Sequence, residues 1–332
     1  MDVTDLLARA VEAGASDLHL AAGEMPMLRL DGELQRLGLP CLQPAALSAG
    51  LAPLLDDGQR QRWEQGDEQD LALQLTPLGR FRLNLFRQLN GPAATFRLIP
   101  ARIATLDELA LEEVFRAIAQ YSDGLVLIGG PTGSGKSSTL AALIDQLNRE
   151  RCLHIITLED PIEVIHTGQR SLINQREIGR HCRDFSQGLR SALRQDPDVI
   201  MIGELRDLET IRLALRAAET GHLVLATVHT RSAVSSVDRL VDVFAAEEKP
   251  LVRAMLAESL RMVVAQVLVK RVGGGRVAAR EVLVATPAVR NLIREGRMAQ
   301  LCSVMQAGAA QGMQTMDAAM SQLRSQGVVE LT

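Results

Sequence analysis

The stretch Gly130-Pro131-Thr132-Gly133-Ser134-Gly135-Lys136-Ser137 constrains this chain more than any other. It meets the pattern GxxxxGK[ST] through Gly130, Gly135, Lys136 and Ser137. The apolar run from Leu125 to Ile128 leads into it, and helical spacing follows from Ser138 to Leu147. Strand, glycine-rich turn and helix start in that order make an anion cradle. Glycines let backbone N–H groups turn inward, and the helix N-terminus adds partial positive charge. The expected ligand is ATP, cradled by Gly130 to Ser138, with Lys136 reaching the β- and γ-phosphates and Ser137 ligating Mg²⁺.

Three more apolar runs flank the first: Ile155 to Leu158, Val199 to Ile202, and Leu223 to Ala226. Each ends in polar residues: Glu159-Asp160, Gly203-Glu204, and Thr227 to Thr230. Strands alternating with helical segments imply an α/β fold with a parallel sheet, and such sheets bind ligands at the strands' carboxyl ends. The four strand ends therefore point to one site. Glu204 is expected to hold Mg²⁺ through water or to polarise the attacking water. Glu159, Asp160 and Glu163 supply further candidates for the base, with Glu159 as the water-orienting partner; which carboxylate is the base stays open. His229 sits at a carboxyl strand end, where it can sense the γ-phosphate, whereas His222 sits at the opposite end. Most histidines in such places are structural hydrogen-bonders.

Residues 1–99 read as a smaller α/β module, 100–110 as a linker, and 111–332 as the ATP-binding domain with C-terminal helices. In the module, Asp2 to Ala13 is helical in spacing, and short alternating runs follow. Asp31-Gly32 and Asn90-Gly91 read as hairpin turns. A two-residue turn at Asn90-Gly91 puts Asn84 opposite Arg97, with Arg82 diagonal to it, so Arg80, Arg82 and Arg97 share a basic face. That face is either solvated or an arginine clamp for phosphates. Arg190 and Arg194 are four apart on an expected helix from Phe185 to Gln195, as phosphate contacts, subunit contacts or plain helix surface. Thr105 to Glu108 begins a further helix-like pattern.

Composition narrows the alternatives. The net charge is -4 and aromatics make up 2 % of the chain, which argues against a nucleic-acid partner. Cys41, Cys152, Cys182 and Cys302 form no CxxC pair, so neither a zinc site nor a disulfide framework is suggested. No signal peptide is expected, because the start Met1 to Asp5 is acidic and lacks a basic start and apolar core, and no membrane span, because no run of 18 apolar residues occurs.

Taken together, these motifs resemble the type II/IV secretion ATPase family, and within it the PilT-like type IV pilus retraction ATPases. Ser16-Asp17-Leu18-His19 is similar to the family's N-terminal signature, Gly130 to Ser137 to its Walker A, and Thr157 to Glu163 to its Asp box. Asp198 to Glu204 is similar to its atypical Walker B, and Gly221 to Thr230 to its His box. Ala288 to Glu295 resembles the retraction motif AIRNLIRE with Val289 replacing Ile. The resemblance implies a PAS-like N-terminal domain, a RecA-like P-loop ATPase domain and a homohexameric ring. It also implies ATP between the two domains with Arg82 and Arg97 reaching in, and cross-subunit roles for Thr220, His229 and Arg239. The implied activity is Mg-dependent ATP hydrolysis driving pilus retraction and twitching motility. The implied place is the cytoplasm, peripheral at the inner-membrane face. The implied partners are an inner-membrane pilus platform protein and a paralogous retraction ATPase. The alternatives are a nucleotide-sensing envelope adaptor and a RecA-like nucleic-acid motor.

Overall fold

The computed structural model describes residues 2–99, 102–111 and 113–330. Pro100 and Ala101, where the expected linker begins, lie outside the described residues, as do the outermost ends of the expected domains. The chain divides into two compact units. One runs to Arg102 and includes Pro161–Val164; the other comprises Ile103–Asp160 and Ile165 onward.

The first unit begins with helix α1 (Val3–Glu12), whose N-cap Asp2 accepts from the Thr4 amide. Strands β1 (Asp17–Ala21), β2 (Met27–Leu30) and β3 (Glu33–Arg36) follow, then helices α2 (Pro44–Leu51) and α3 (Asp57–Glu64). Strands β4 (Gln69–Leu75), β5 (Gly79–Gln88) and β6 (Gly91–Ile99) complete it. Among the described residues the strands form one six-stranded antiparallel sheet in the order β3-β2-β1-β6-β5-β4. The period of two sends Leu18, Leu20, Phe81, Leu83, Leu85 and Phe96 to one face, where they pack with Leu6, Leu7, Leu47 and Leu51. Burying each such side chain contributes on the order of 2 kcal/mol.

Asp31 and Gly32, both with positive φ, form the expected turn between β2 and β3. The second hairpin differs from expectation. Gln88 pairs with Gly91, so the turn is Leu89-Asn90 rather than Asn90-Gly91. Gly91 adopts φ +125 within the strand that follows. The shift moves the register by two, so Arg82 lies directly opposite Arg97, and Asn84 pairs with Thr95. Because the shift is even, the faces are unchanged.

The second unit contains helix α4 (Glu113–Ile118), strand β7 (Gly124–Gly129), helix α5 (Lys136–Glu150), and strands β8 (His154–Glu159) and β9 (Leu172–Glu177). Helix α6 (Phe185–Ala192), strand β10 (Val199–Ile202), helix α7 (Leu208–Glu219) and strand β11 (Leu223–Val228) follow. Next come helices α8 (Ala233–Asp242) and α9 (Lys249–Ser259), then strands β12 (Leu260–Lys270) and β13 (Arg276–Val284). Helices α10 (Pro287–Glu295), α11 (Leu301–Ala307) and α12 (Met316–Ser325) end it. The sheet order is β13-β12-β7-β11-β10-β8-β9, parallel except for β13.

Alternate residues of the central strands feed two cores. Leu125, Leu127, Ile200, Ile202, Val224 and Ala226 join one face, packed by α7 to α10. Val126, Ile128, Val199, Met201, Leu223 and Leu225 join the other, packed by Leu140, Leu143, Ile144 and Leu147 of α5. A sheet buried on both faces reads as continuous apolar runs, which is what the four runs showed. Two expected helices are shorter than their patterns. Thr105 and Glu108 do make reciprocal capping bonds, at 2.9 and 3.2 Å, but they close only a turn, and Ala110 then takes φ +49. Helix α6 stops at Ala192, so Arg194 lies beyond it and does not share a helix face with Arg190.

Candidate functional site: a phosphate loop at the strand ends

Strand β7 is buried along its whole length and delivers the chain to Gly130. Gly130 has φ +152, and a β-carbon there would sit 2.3 Å from Ser134 Oγ and 2.5 Å from the Gln266 carbonyl oxygen. Gly135 adopts the left-handed region at φ +89 as N-cap of α5, and it offers no side chain to cap the helix. The first amides of α5 are thus left for an anion, as the motif requires. Helix α5 begins at Lys136, two residues ahead of the spacing-based start.

Lys136 is buried, and its Nζ donates to the carbonyl oxygens of Gly130 at 2.7 Å and Pro131 at 3.0 Å. Ser137 and Ser138 are exposed beside it, while Ser134 Oγ is buried without a hydrogen-bond partner. A loop with unspent polar groups, a tucked lysine and no room for a β-carbon at Gly130 fits a polyphosphate.

Neighbouring strand ends bring carboxylates to the same edge of the sheet. Glu204 follows β10, and its Oε2 accepts from Arg206 at 2.7 Å and lies 3.3 Å from His229 Nε2. Burial pushes the Glu204 carboxyl up, but the Arg206 hydrogen bond and the charges of His229, Arg206 and Lys136 outweigh it and hold it below its ordinary value. Glu204 is therefore ionised at neutral pH. Glu159 ends β8, is 9 % exposed, and its Oε1 accepts from Thr157 Oγ1 at 2.6 Å and Gln175 Nε2 at 3.1 Å. The loops are fixed to one another: Gly203 N donates to Leu158 O at 2.7 Å, Leu205 N to Thr227 O at 2.9 Å, and Thr227 Oγ1 to Gly203 O.

The other expected residues have different surroundings. His222 Nδ1 lies 3.1 Å from the Ala217 carbonyl oxygen at the end of α7, a structural contact. Thr220 caps that same helix end through its hydroxyl, 2.9 Å from Arg216 O. Arg239 is exposed on α8. Arg190 bonds Glu209 at 2.5 Å, and Arg194 is exposed. In the first unit, Arg82 makes a two-pronged contact with Asp70, at 3.0 and 2.6 Å, and a third bond to Glu163 at 3.1 Å. Those carboxylates raise its already high pKa: the Asp70 bond contributes most, and burial opposes it. Arg97 donates to Asp17 at 2.9 Å, and Arg80 to the Ile162 carbonyl oxygen at 2.7 Å.

Residue-by-residue reading missed Gln175, which orients Glu159, and Gln266, which lies under the phosphate loop. Gln266 left a signal: it is the single polar residue in the run Met262 to Val269. A polar side chain inside a buried strand has to find a hydrogen-bond partner. Gln175 gave no such signal, because it sits in the unbroken polar run Asn174 to Glu177. Among the described residues, no group of three or more His, Cys, Asp or Glu side chains could hold a metal ion. No helix among the described residues is long and apolar enough to cross a membrane.

A family model described as type II/IV secretion system protein matches residues 1–331. The chain is 52 % identical over 329 residues to the type IV pilus retraction ATPase PilT of Pseudomonas aeruginosa, across 99 % of this chain and 96 % of that one. It is 47 % identical over 315 residues to the uncharacterized protein YggR of Escherichia coli, across 95 % and 96 %. A crystal structure of the pilus retraction motor PilT with bound ADP matches with a TM-score of 0.90 at 41 % identity, covering 100 % of this chain and 95 % of that one. The second unit accordingly has the RecA-like ATPase fold.

Proposed function

We propose that this chain, which belongs to the type II/IV secretion system protein family, is a Mg-dependent motor ATPase that powers type IV pilus retraction and twitching motility. The observation that carries the reading is the phosphate loop of Gly130 to Ser137, with the ionised Glu204 held beside it at the next strand ends but one. Near-complete coverage of a retraction ATPase at 52 % identity supports the pilus as the load.

The chemistry follows from what each group does. Nucleotide phosphates replace the loop carbonyls as partners of Lys136, whose charge neutralises theirs. Ser137 and, through water, Glu204 are suited to hold Mg²⁺, which shields phosphate charge when bound. Glu159, fixed by Thr157 and Gln175, orients the attacking water, with Glu163 as the alternative base. His229 reports on the occupant through its contact with Glu204. Arg82 and Arg97 belong to the arginine set that neutralises phosphate charge during turnover, and Arg190 and Arg194 are peripheral members of that set.

The domain reading is 1–99, 100–110 and 111–332, with the antiparallel sheet of the first unit supporting a PAS-like assignment. The working assembly is a homohexamer in which Thr220, His229 and Arg239 face a neighbouring subunit. It acts in the cytoplasm, peripheral at the inner-membrane face, on a pilus platform protein, alongside a paralogous retraction ATPase. The test replaces the chromosomal gene with Lys136→Ala. Loss of ATP hydrolysis together with loss of twitching is expected. Lost hydrolysis with normal twitching would leave an envelope role other than retraction.

A further inference from the structure

Strand β12 runs beside β7 and beneath the phosphate loop, and Gln266 is its one polar residue between Met262 and Val269. The side chain is 1 % exposed. Its Nε2 donates to the Ser134 carbonyl oxygen at 2.8 Å, and its Oε1 accepts from Thr139 Oγ1 at 3.0 Å. The same residue's backbone oxygen is what a β-carbon on Gly130 would strike, at 2.5 Å. A β-carbon on Gly135 would come within 3.2 Å of the Gln266 amide nitrogen. One residue thus touches the beginning and the end of the loop as well as the first turn of α5.

We infer that Gln266 is a positioning residue for nucleotide phosphates, acting by fixing the peptide plane between Ser134 and Gly135. A carbonyl oxygen can only accept, so the amide end facing Ser134 has to be the NH₂. The Thr139 hydroxyl then donates to the remaining oxygen and fixes that orientation. The Ser134–Gly135 peptide is planar and trans, so its N–H points opposite to its C=O. Holding the Ser134 carbonyl down onto β12 turns the Gly135 N–H up and away from the strand, into the cradle. An apolar side chain of the same size fills the space and leaves this plane free to rotate. The cradle then loses an oriented donor, while Lys136 and the helix N-terminus remain.

The inference rests on the loop being the nucleotide site, and the test separates the two. ADP affinity is measured by calorimetry at pH 8 and pH 6 on the purified full chain and on Gln266→Met and Gln266→Glu. Gln266→Met is expected to raise the ADP Kd about tenfold, the size of one oriented hydrogen bond to a charged group. Gln266→Glu is expected to be weaker still at pH 8, where its carboxylate faces the Ser134 carbonyl acceptor against acceptor. At pH 6 it recovers, because burial at this position raises the carboxyl above its ordinary value and the protonated acid regains a donor. A generic packing defect gives no such pH-dependent rescue. If Gln266→Met does not fold, Thr139→Val carries the readout, with an expected loss of about threefold from the released amide. Folded variants that match the wild-type ADP Kd within twofold, or a Glu variant with no pH response beyond wild type, overturn the positioning role alone. Wild-type protein that binds no ADP overturns the nucleotide site itself.

Discussion

The carboxylate of Glu204 lies 3.3 Å from Nε2 of His229, a contact that joins the ends of neighbouring strands β10 and β11. The same oxygen is held by Arg206, and the carboxyl titrates below its ordinary value. Depressed in the folded state, the group stabilises the fold above the ordinary carboxyl range and loses that contribution as pH falls through the folded value. Glu204→Gln is expected to lower kcat by at least about a hundredfold, because a neutral amide replaces the charge proposed to hold Mg²⁺ through water or to polarise the attacking water. In denaturant titrations, the stability of wild type relative to Glu204→Gln should be level above about pH 5 and decline below about pH 4. A relative stability that rises on acidification refutes the assignment.

Gly130→Ala tests the cradle's backbone. The new β-carbon meets the Ser134 hydroxyl and, more seriously, the backbone oxygen of Gln266, which cannot rotate aside. The positive φ adds strain for any residue with a β-carbon. The expected cost is about 2 kcal/mol of stability, with ADP affinity reduced by more than about tenfold. Gly133→Ala is the control, since its β-carbon would meet nothing within 4 Å and only its φ of +77 is unfavourable. Equal losses at the two glycines would show that backbone strain, not the close approach to β12, decides the outcome.

Much of this was legible in the chain because the signals were local. The phosphate loop is a contiguous run, and the strands on either side of it are buried on both faces, so they appear as unbroken apolar segments. The basic face of the β5–β6 hairpin also came through, although its turn was placed one residue late, because an error of two in register preserves parity. The partners of those arginines were not legible. Asp70 lies on β4 and Glu163 far along the chain, and no spacing rule links them to Arg82. The β12–β13 hairpin passed unnoticed for the same reason as Gln266: its meaning depends on the strand it lies beside. The short α6 shows that helical spacing does not fix a helix end, since Asp196 takes φ +55 just before Pro197 and breaks the pattern.

Arg82 separates electrostatic from structural roles. Its side chain and that of Asp70 are 30 % and 38 % exposed, so the pair contributes at most about 1 kcal/mol. Arg82→Ala is expected to lower kcat by about a hundredfold or more, as removal of a phosphate-neutralising arginine does. The melting temperature should change little. A variant with unaltered turnover and lowered stability would assign Arg82 wholly to the Asp70–Glu163 network.

Arg290, within the retraction-like motif, is a helix cap. Its guanidinium donates to the carbonyl oxygens of Ala257 and Glu258 at the end of α9, at 2.6 and 2.5 Å, and to Ala285 at 3.0 Å. Arg294 reaches Glu258 from the next turn. Arg290→Ala is expected to destabilise the second unit by about 1–2 kcal/mol, because it leaves the orphan carbonyls of a helix end unsatisfied. Thermal denaturation of Arg290→Ala and Arg294→Ala compares a half-buried cap with a surface pair, and the first should lose clearly more. Equal losses would put the motif's importance on its exposed face.

His166 gives the chain a pH dependence remote from the phosphate loop. Burial lowers its pKa to about 4, with Asp145 offsetting this only partly, and its Nδ1 is buried without a hydrogen-bond partner. Its backbone N–H is held by Gln175, the same side chain that reaches Glu159. The folded protein keeps this imidazole neutral, whereas the unfolded chain protonates it near the ordinary histidine value. Stability from this group is therefore complete above about pH 6.5 and is lost as pH falls toward the folded value. Urea titrations of wild type and His166→Gln from pH 7.5 to pH 4.5 isolate the effect, since other titrating groups, His19 among them, cancel in the difference. The wild type should lose more stability than the variant over this range, and parallel curves would mean that His166 protonates equally in both states. A shift in the position of Gln175 on acidification would also disturb Glu159, so ATP turnover should decline over the same range in wild type more than in the variant.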